Sequence, residues 1–173
     1  LMYLVGLSGG GCSDEHLYHD LSLDVFLADE LEFLVGAWVR WVMRELLDEQ
    51  RVTREEFNVI STTPRENKEL NWHPLQVVAK YRLVDRSHGQ RIMDVDFLSD
   101  WLAAKSDLPL YHIDPLKVDV DQVTRVMSYA FAERHGIVAL ESHRDRVVVA
   151  CDQPFKGDWQ EHLKQVLGER ALD

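Results

Sequence analysis

Between Asp24 and Glu49, the apolar residues Leu27, Leu31, Leu34, Trp38, Val42 and Leu46 recur at spacings of three and four. That rhythm follows the turn of an α-helix and lays one wide apolar stripe along it. A helix with such a stripe has to bury it against other elements, so this part of the chain must fold as packed helices. Acidic Asp24, Asp29 and Glu30 come early and Arg40 and Arg44 late, the order that complements the helix dipole. Apolar residues make up 46% of the 173 positions and are spread along the chain, which is enough for a real core.

The punctuation around this helix supplies the other elements. Thr53-Arg54-Glu55-Glu56 has the form of a capping box and opens a short helix with Phe57 and Ile60 inward. Residues 61–71 are polar and non-periodic and read as a loop. Pro74 suits a first helical turn, so a helix starts there with Leu75, Val78 and Ala79 inward, and His73 caps it or packs on it. Arg86-Ser87-His88-Gly89 is a turn, and Asp94 or Asp96 caps a helix with Phe97, Trp101 and Leu102 on one face.

After Pro109 the pattern changes. Leu110–Ile113 reads as a strand, and Asp114-Pro115 as a turn. Asp119 to Gln122 has capping-box spacing and opens one helix running to Gly136, with Val123, Val126, Met127, Ala130 and Phe131 inward. The β-branched runs 137–140 and 146–151 flank a charged turn and form a hairpin. Asp158 begins a last helix with Trp159, Leu163, Val166 and Leu167 inward, and a strand starts at Ala171. Residues 1–7 form a short strand ahead of the flexible run Ser8-Gly9-Gly10-Gly11. The expected fold is α+β: a mainly helical part, 1–107, with 1–20 flexible, then a compact β-α-β-β-α module with a small sheet, 108–173.

Nineteen basic residues against 30 acidic ones give a formal net charge of −11. Such a surface repels phosphate backbones, so nucleic acid is not expected as a partner. No apolar run approaches the roughly 18 residues of a membrane span, so direct membrane insertion is not expected. The apolar start lacks the positive flank of a signal peptide. Cys12 and Cys151 stand in unlike contexts, which argues against a disulfide framework and for a reducing cytosol.

Several segments invite a chemical reading. Gly6-Leu7-Ser8-Gly9-Gly10-Gly11 follows an apolar run as phosphate-binding loops do, but the Lys-Ser/Thr pair of a Walker loop is replaced by Cys12-Ser13. It also resembles the Ser-Gly-Gly-x-Asp-Ser loop of ATP pyrophosphatases, without the aspartate. Cys12, Asp14, His16, His19 and Asp20 crowd together, and His16 and His19 would share a helix face with room for zinc beside Cys12. No second pair with matching spacing follows, and a solvated polar stretch is the plainer account. Neither metal nor cofactor is expected. Nucleophile elbows, Cys/His nucleophile patterns and His-Glu-x-x-His are absent from the sequence, so the chain is not expected to be an enzyme. The five tryptophans lie mostly at helical core spacing and read as packing.

The most specific signal lies in residues 108–173. Leu108-Pro109-Leu110-Tyr111-His112-Ile113-Asp114-Pro115-Leu116-Lys117 is similar to the opening motif of the N-terminal domain of type II secretion and type IV pilus assembly ATPases. The segment Ala132-Glu133-Arg134-His135-Gly136, then Ile137-Val138-Ala139-Leu140 and Arg146 to Pro154, resembles the helix end and hairpin of the same family in the same order. Ala139 stands where the family usually has proline, and Gln153 where it usually has aspartate. The Walker motifs of the family's motor are absent, so the chain resembles either an excised N-terminal region or a relative without its motor.

The resemblance implies a coupling role. In this family the region links the motor to cytoplasmic domains of inner-membrane assembly proteins. The chain is then expected in the cytoplasm, held at the inner membrane through that partner, with a motor domain as a second partner if it belongs to a longer chain. On the helix after Asp119, the face opposite the core presents Gln122, Arg125, Tyr129 and Glu133 as the candidate partner-binding residues. The alternative implied is cyclic di-GMP binding, which some members achieve through tandem Arg-Leu-Gly-containing helical motifs. The nearest counterpart, Val35-Gly36-Ala37-Trp38-Val39 running to Gln50, lacks the opening arginine and has no second copy. Arg40 and Arg44 are the pair with suitable spacing for the ligand's phosphates.

Overall fold

A computed structural model describes residues 2–6, 28–66, 69, 72–87, 89, 91–114, 116, 118–167 and 171–172. Its architecture is α+β. The chain divides into two compact units: Glu15–Ser99, and Leu1–Asp14 together with Asp100–Asp173.

In the helical unit the stripe becomes α1 (Ala28–Asp48). Trp38, Val42 and Leu46 are buried as the spacing requires, with Val39 and Met43 beside them. Full burial of such side chains contributes about 1.5–3 kcal/mol each. Gln50 then takes a left-handed conformation, φ 59°, and ends the helix.

Thr53 caps α2 (Arg54–Thr62) reciprocally: the Glu56 amide donates to Thr53 Oγ1 at 3.2 Å, and the Thr53 amide donates to Glu56 Oε2 at 2.7 Å. The helix runs two residues into the stretch expected to be loop. His73 caps α3 (Pro74–Ala79) in the same way, with Nδ1 accepting from the Leu75 amide at 3.3 Å and the His73 amide donating to Gln76 Oε1 at 2.9 Å. Leu75, Val77 and Val78 are buried.

Beyond α3, Val84 and Ile92 form an antiparallel bridge around the turn. This loop is tied to the α1–α2 connection by Arg51, whose Nη1 meets Asp85 Oδ2 at 2.8 Å. Asp85 is 1% exposed. Its other oxygen accepts from the Ser87 amide and hydroxyl. Of the two candidate caps for α4 (Val95–Ser106), Asp94 is the one used, accepting from the Phe97 amide at 2.8 Å.

The second unit is built on a sheet of five strands among the described residues, with the order β2-β1-β4-β3 and β5 also on β4. β1 (Met2–Gly6) runs antiparallel to both β2 (Leu110–His112) and β4 (Arg146–Cys151). β3 (Ile137–Ser142) pairs with β4 as the hairpin, with an irregularity between Ala139 and Glu141. β5 (Ala171–Leu172) joins β4 in parallel at Arg146 and Val147. Since β3 fills one edge of β4, β1 and β5 share the other.

Val147, Val149, Ala150 and Cys151 of β4 are buried, as befits a central strand. Burial pushes the Cys151 thiol up to about 12, which makes it a core residue rather than a nucleophile. Trp159, Leu163 and Leu167 form the buried stripe of α7 (Asp158–Leu167).

The structure differs from the sequence reading at several points. The strand at residues 2–6 pairs with β2 and β4, so it falls with the sheet and not with the helical unit. The rest of the expected flexible run, 7–20, lies outside the described residues. The helix expected from Asp119 to Gly136 is two helices, α5 (Val120–Val126) and α6 (Tyr129–His135). Ala130 and Val166, expected inward, are exposed. For Ala130 the cause is the break before α6, which rotates the helical pattern. Val166 lies on the flank of a stripe that Trp159, Leu163 and Leu167 already fill.

Candidate functional site

The break between α5 and α6 has a local cause. Ser128 adopts extended backbone, φ −73° and ψ 154°, and its Oγ accepts from the Phe131 amide at 3.2 Å. A serine in this role starts a new helix. The four expected partner-binding residues therefore sit on two helices. Gln122 and Arg125 lie on α5, and Tyr129 and Glu133 on α6. Arg125 and Glu133 are exposed, and the side chain of Gln122 lies outside those described.

Tyr129 is 76% exposed. Its hydroxyl donates to Glu133 Oε1 at 3.1 Å, one turn along α6. That hydrogen bond, reinforced by the carboxylate's charge, raises the phenol's pKa. The pair holds the ring of Tyr129 in place while leaving it open to contact.

Sequence reasoning missed two apolar residues of the same stretch. Leu116 is 95% exposed, displayed by a turn in which its amide donates to Asp114 Oδ1 at 3.1 Å. Val120, at the start of α5, is 65% exposed. The signal for Leu116 was present in the Asp-Pro-Leu-Lys motif, where an apolar residue follows a turn-forming Asp-Pro.

The helical unit carries a cleft of about 320 Å³, lined by Gly36, Val39 and Arg40 of α1, Ile60 and Ser61 of α2, the segment Thr63–Arg65, Glu69, Val77 and Tyr81. The structure does not bring Arg40 and Arg44 together in it. Arg40 lines the cleft with Arg65, whereas Arg44 lies over the ring of Phe57, 5.4 Å from its centre. Glu69, 2% exposed, is paired with Lys80, and this hydrogen bond raises the ammonium's pKa. Trp38 packs against Trp41 and His73 with ring centres 5.2 and 5.9 Å apart, a packing role for those tryptophans.

Among the described residues no group of three His, Cys, Asp or Glu side chains is placed to hold a metal ion. The Cys12–Asp20 cluster and the glycine run 8–11 lie outside the described residues. No described helix is long and apolar enough to cross a membrane.

Comparison with known proteins bears on the unit that carries Leu116 and Tyr129. Residues 106–173 match the family described as the MshEN domain. Over 134 residues the chain is 40% identical to the type IV pilus assembly ATPase TfpB of Acinetobacter baylyi, a stretch covering 78% of this chain and 23% of that relative. The chain thus spans less than a quarter of that relative's length. No solved structure matches the chain. Residues 106–173 are therefore similar to the MshEN domain, and the chain is similar to part of a type IV pilus assembly ATPase.

Proposed function

We propose that this chain is a non-catalytic docking domain of a type IV pilus or type II secretion assembly ATPase. It would couple the motor to the cytoplasmic domain of an inner-membrane assembly protein, working in the cytoplasm at that membrane. The observation that carries this reading is the exposure of Leu116, Val120 and Tyr129 within the segment that matches the MshEN domain. Large apolar side chains left in water next to charged ones are what a partner buries as anchors, with Arg125 and Glu133 as a polar rim. The similarity to a pilus assembly ATPase supports the same role.

The test is a titration of the chain with the purified cytoplasmic domain of an inner-membrane pilus assembly protein. Leu116→Ser and Tyr129→Ala should each weaken binding about tenfold, the equivalent of ~1.4 kcal/mol, with unchanged circular dichroism. Unaltered affinity in both variants would sink the assignment of this face, and absence of binding by the parent chain would sink docking to that partner. Cyclic di-GMP binding through Arg40 and Arg44 remains the alternative that the resemblance implies. The stacking of Arg44 on Phe57 separates the pair, and no observation favours it over docking.

A further inference from the structure

We propose that the cleft of the helical unit binds a small oxyanion, a carboxylate or phosphate group on a short apolar body. Arg40 and Arg65 would supply the charge, Ser61 a hydroxyl donor, and Gly36 the floor.

Gly36 lines the cleft. It lies one turn before Arg40 on α1, so the two share a face of the helix. A Cβ placed on Gly36 would lie 4.0 Å from Arg40 Nη2 and 4.0 Å from Arg65 Nη2. Two guanidinium groups from separate parts of the chain thus border one small space that glycine leaves empty. Arg40 makes no ion pair among the described residues. Guanidinium groups offer planar, paired donors that match carboxylate and phosphate oxygens.

A second observation is independent of charge. Three consecutive hydroxyls close α2, and two of them bond back to their own helix: Thr62 Oγ1 donates to the Asn58 carbonyl at 2.8 Å, and Thr63 Oγ1 to the Val59 carbonyl at 2.6 Å. Ser61 Oγ is buried at the cleft wall with no hydrogen-bond partner. An unmade hydrogen bond on a buried hydroxyl is costly, and a rotation about χ1 would turn this hydroxyl to a ligand oxygen in the cleft.

The acidic member of the lining does not oppose an anion, because Glu69 is neutralised by Lys80. Val39, Ile60, Val77 and the side of Tyr81 supply an apolar wall. A volume near 320 Å³ stands at the lower end of small-molecule pockets. It fits a small carboxylic acid or phosphomonoester rather than a dinucleotide.

The experiment follows the backbone amide NMR signals of Gly36 and Ser61 in the whole chain during titration with sodium phosphate, sodium succinate and sodium chloride at matched ionic strength, and separately with cyclic di-GMP. Saturating shifts with phosphate or succinate, and none with chloride, are expected; whichever anion saturates identifies the group. Arg40→Ala should weaken binding about tenfold or more, the fold-change of one lost charge-assisted hydrogen bond, and Arg44→Ala should leave it unchanged. Ser61→Ala should weaken binding without lowering Tm, a combination that a purely structural role would not give. Shifts that are linear and equal for all three salts, or Arg40→Ala binding as the parent does, would overturn the proposal. Saturation by cyclic di-GMP with phosphate and succinate silent would overturn it in favour of the dinucleotide.

Discussion

Gly136 lies directly against the carboxyl group of Asp152: a Cβ on Gly136 would stand 2.5 Å from Asp152 Cγ, and closer still to Oδ1. The contact is fixed by the backbone, since the Asp152 amide donates to the Gly136 carbonyl at 2.9 Å. Gly136 also has φ 61° and ψ 39°, the left-handed conformation that closes α6 before β3. Glycine is thus required twice, once for the turn and once for space. Gly136→Ala should cost about 2–4 kcal/mol, the sum of a left-handed residue and an overpacked site. Urea denaturation measures it, and a loss under about 0.5 kcal/mol, the level of an ordinary surface substitution, would contradict this account.

Asp152 also shapes the pH dependence. Burial pushes its carboxyl up to about 7, above its unfolded value of 3.8. Between those values the folded state holds a proton that the unfolded state has lost, so Asp152 favours folding at the acid end and loses that contribution as pH rises towards 7. His135 works the other way. Burial lowers its pKa from 6.5, so acidification below that value favours the unfolded state, which takes up the proton first. In Asp152→Asn only the histidine's effect remains of the two. That variant should lose more stability between neutral pH and mildly acidic pH than the parent does. Equal losses in denaturation series at both pH values would refute the role of Asp152.

The ion pair of Arg51 and Asp85 closes the 84–92 loop onto the α1–α2 connection. Asp85→Ala would remove a buried acceptor of three hydrogen bonds, from Arg51 Nη1 and from the Ser87 amide and hydroxyl. The expected cost is about 1–3 kcal/mol, that of lost hydrogen bonds at a buried site, because Arg51 is partly exposed and keeps Glu49 as a partner. Thermal unfolding of the purified variant would show it as a large drop in Tm, and a Tm within a degree or two of the parent would mean that the loop is held by other contacts.

Gln50, Arg82 and Asp107 have φ of 59°, 49° and 54°, each just after a helix. A side chain in that conformation costs about 1–2 kcal/mol, partly offset by the entropy that glycine loses on folding. Gln50→Gly and Asp107→Gly should therefore stabilise the chain by about 0.5 kcal/mol each. A lowered Tm in both would show that these side chains make contacts worth more than the strain.

Local signals made much of this fold legible. Thr53 with Glu56 and His73 with Pro74 announced their helices because a cap is an exchange between neighbouring residues. Gly136 and the hairpin that follows it were equally local. Ser128 was a weaker case, since a serine between Met127 and Tyr129 reads as an interior residue unless its backbone is known to be extended. The left-handed ends at Gln50, Arg82 and Asp107 carried no glycine to mark them. The cleft was hidden for another reason: Gly36, Ser61 and Arg65 meet only after three segments have packed, and no spacing along the chain encodes that meeting. The face proposed for partner binding was half legible, with Tyr129 readable from its helix and Leu116 missed because its turn, not a periodic pattern, turns it outward.

Because β1 and β5 share one edge of β4, the sheet is assembled from segments far apart along the chain. Leu4 pairs with Cys151. At about 5–20 residues per second, a ribosome needs roughly 7–30 s to make the strand that Leu4 is waiting for. Through that interval Met2-Tyr3-Leu4-Val5 is a nascent apolar segment without its central partner, and hairpin closure at Ile137 cannot help it until β4 itself emerges. Closing so long a loop is slower than closing the adjacent β3–β4 hairpin, so the docking of β1 onto β4 is expected to be the late step in assembling this sheet.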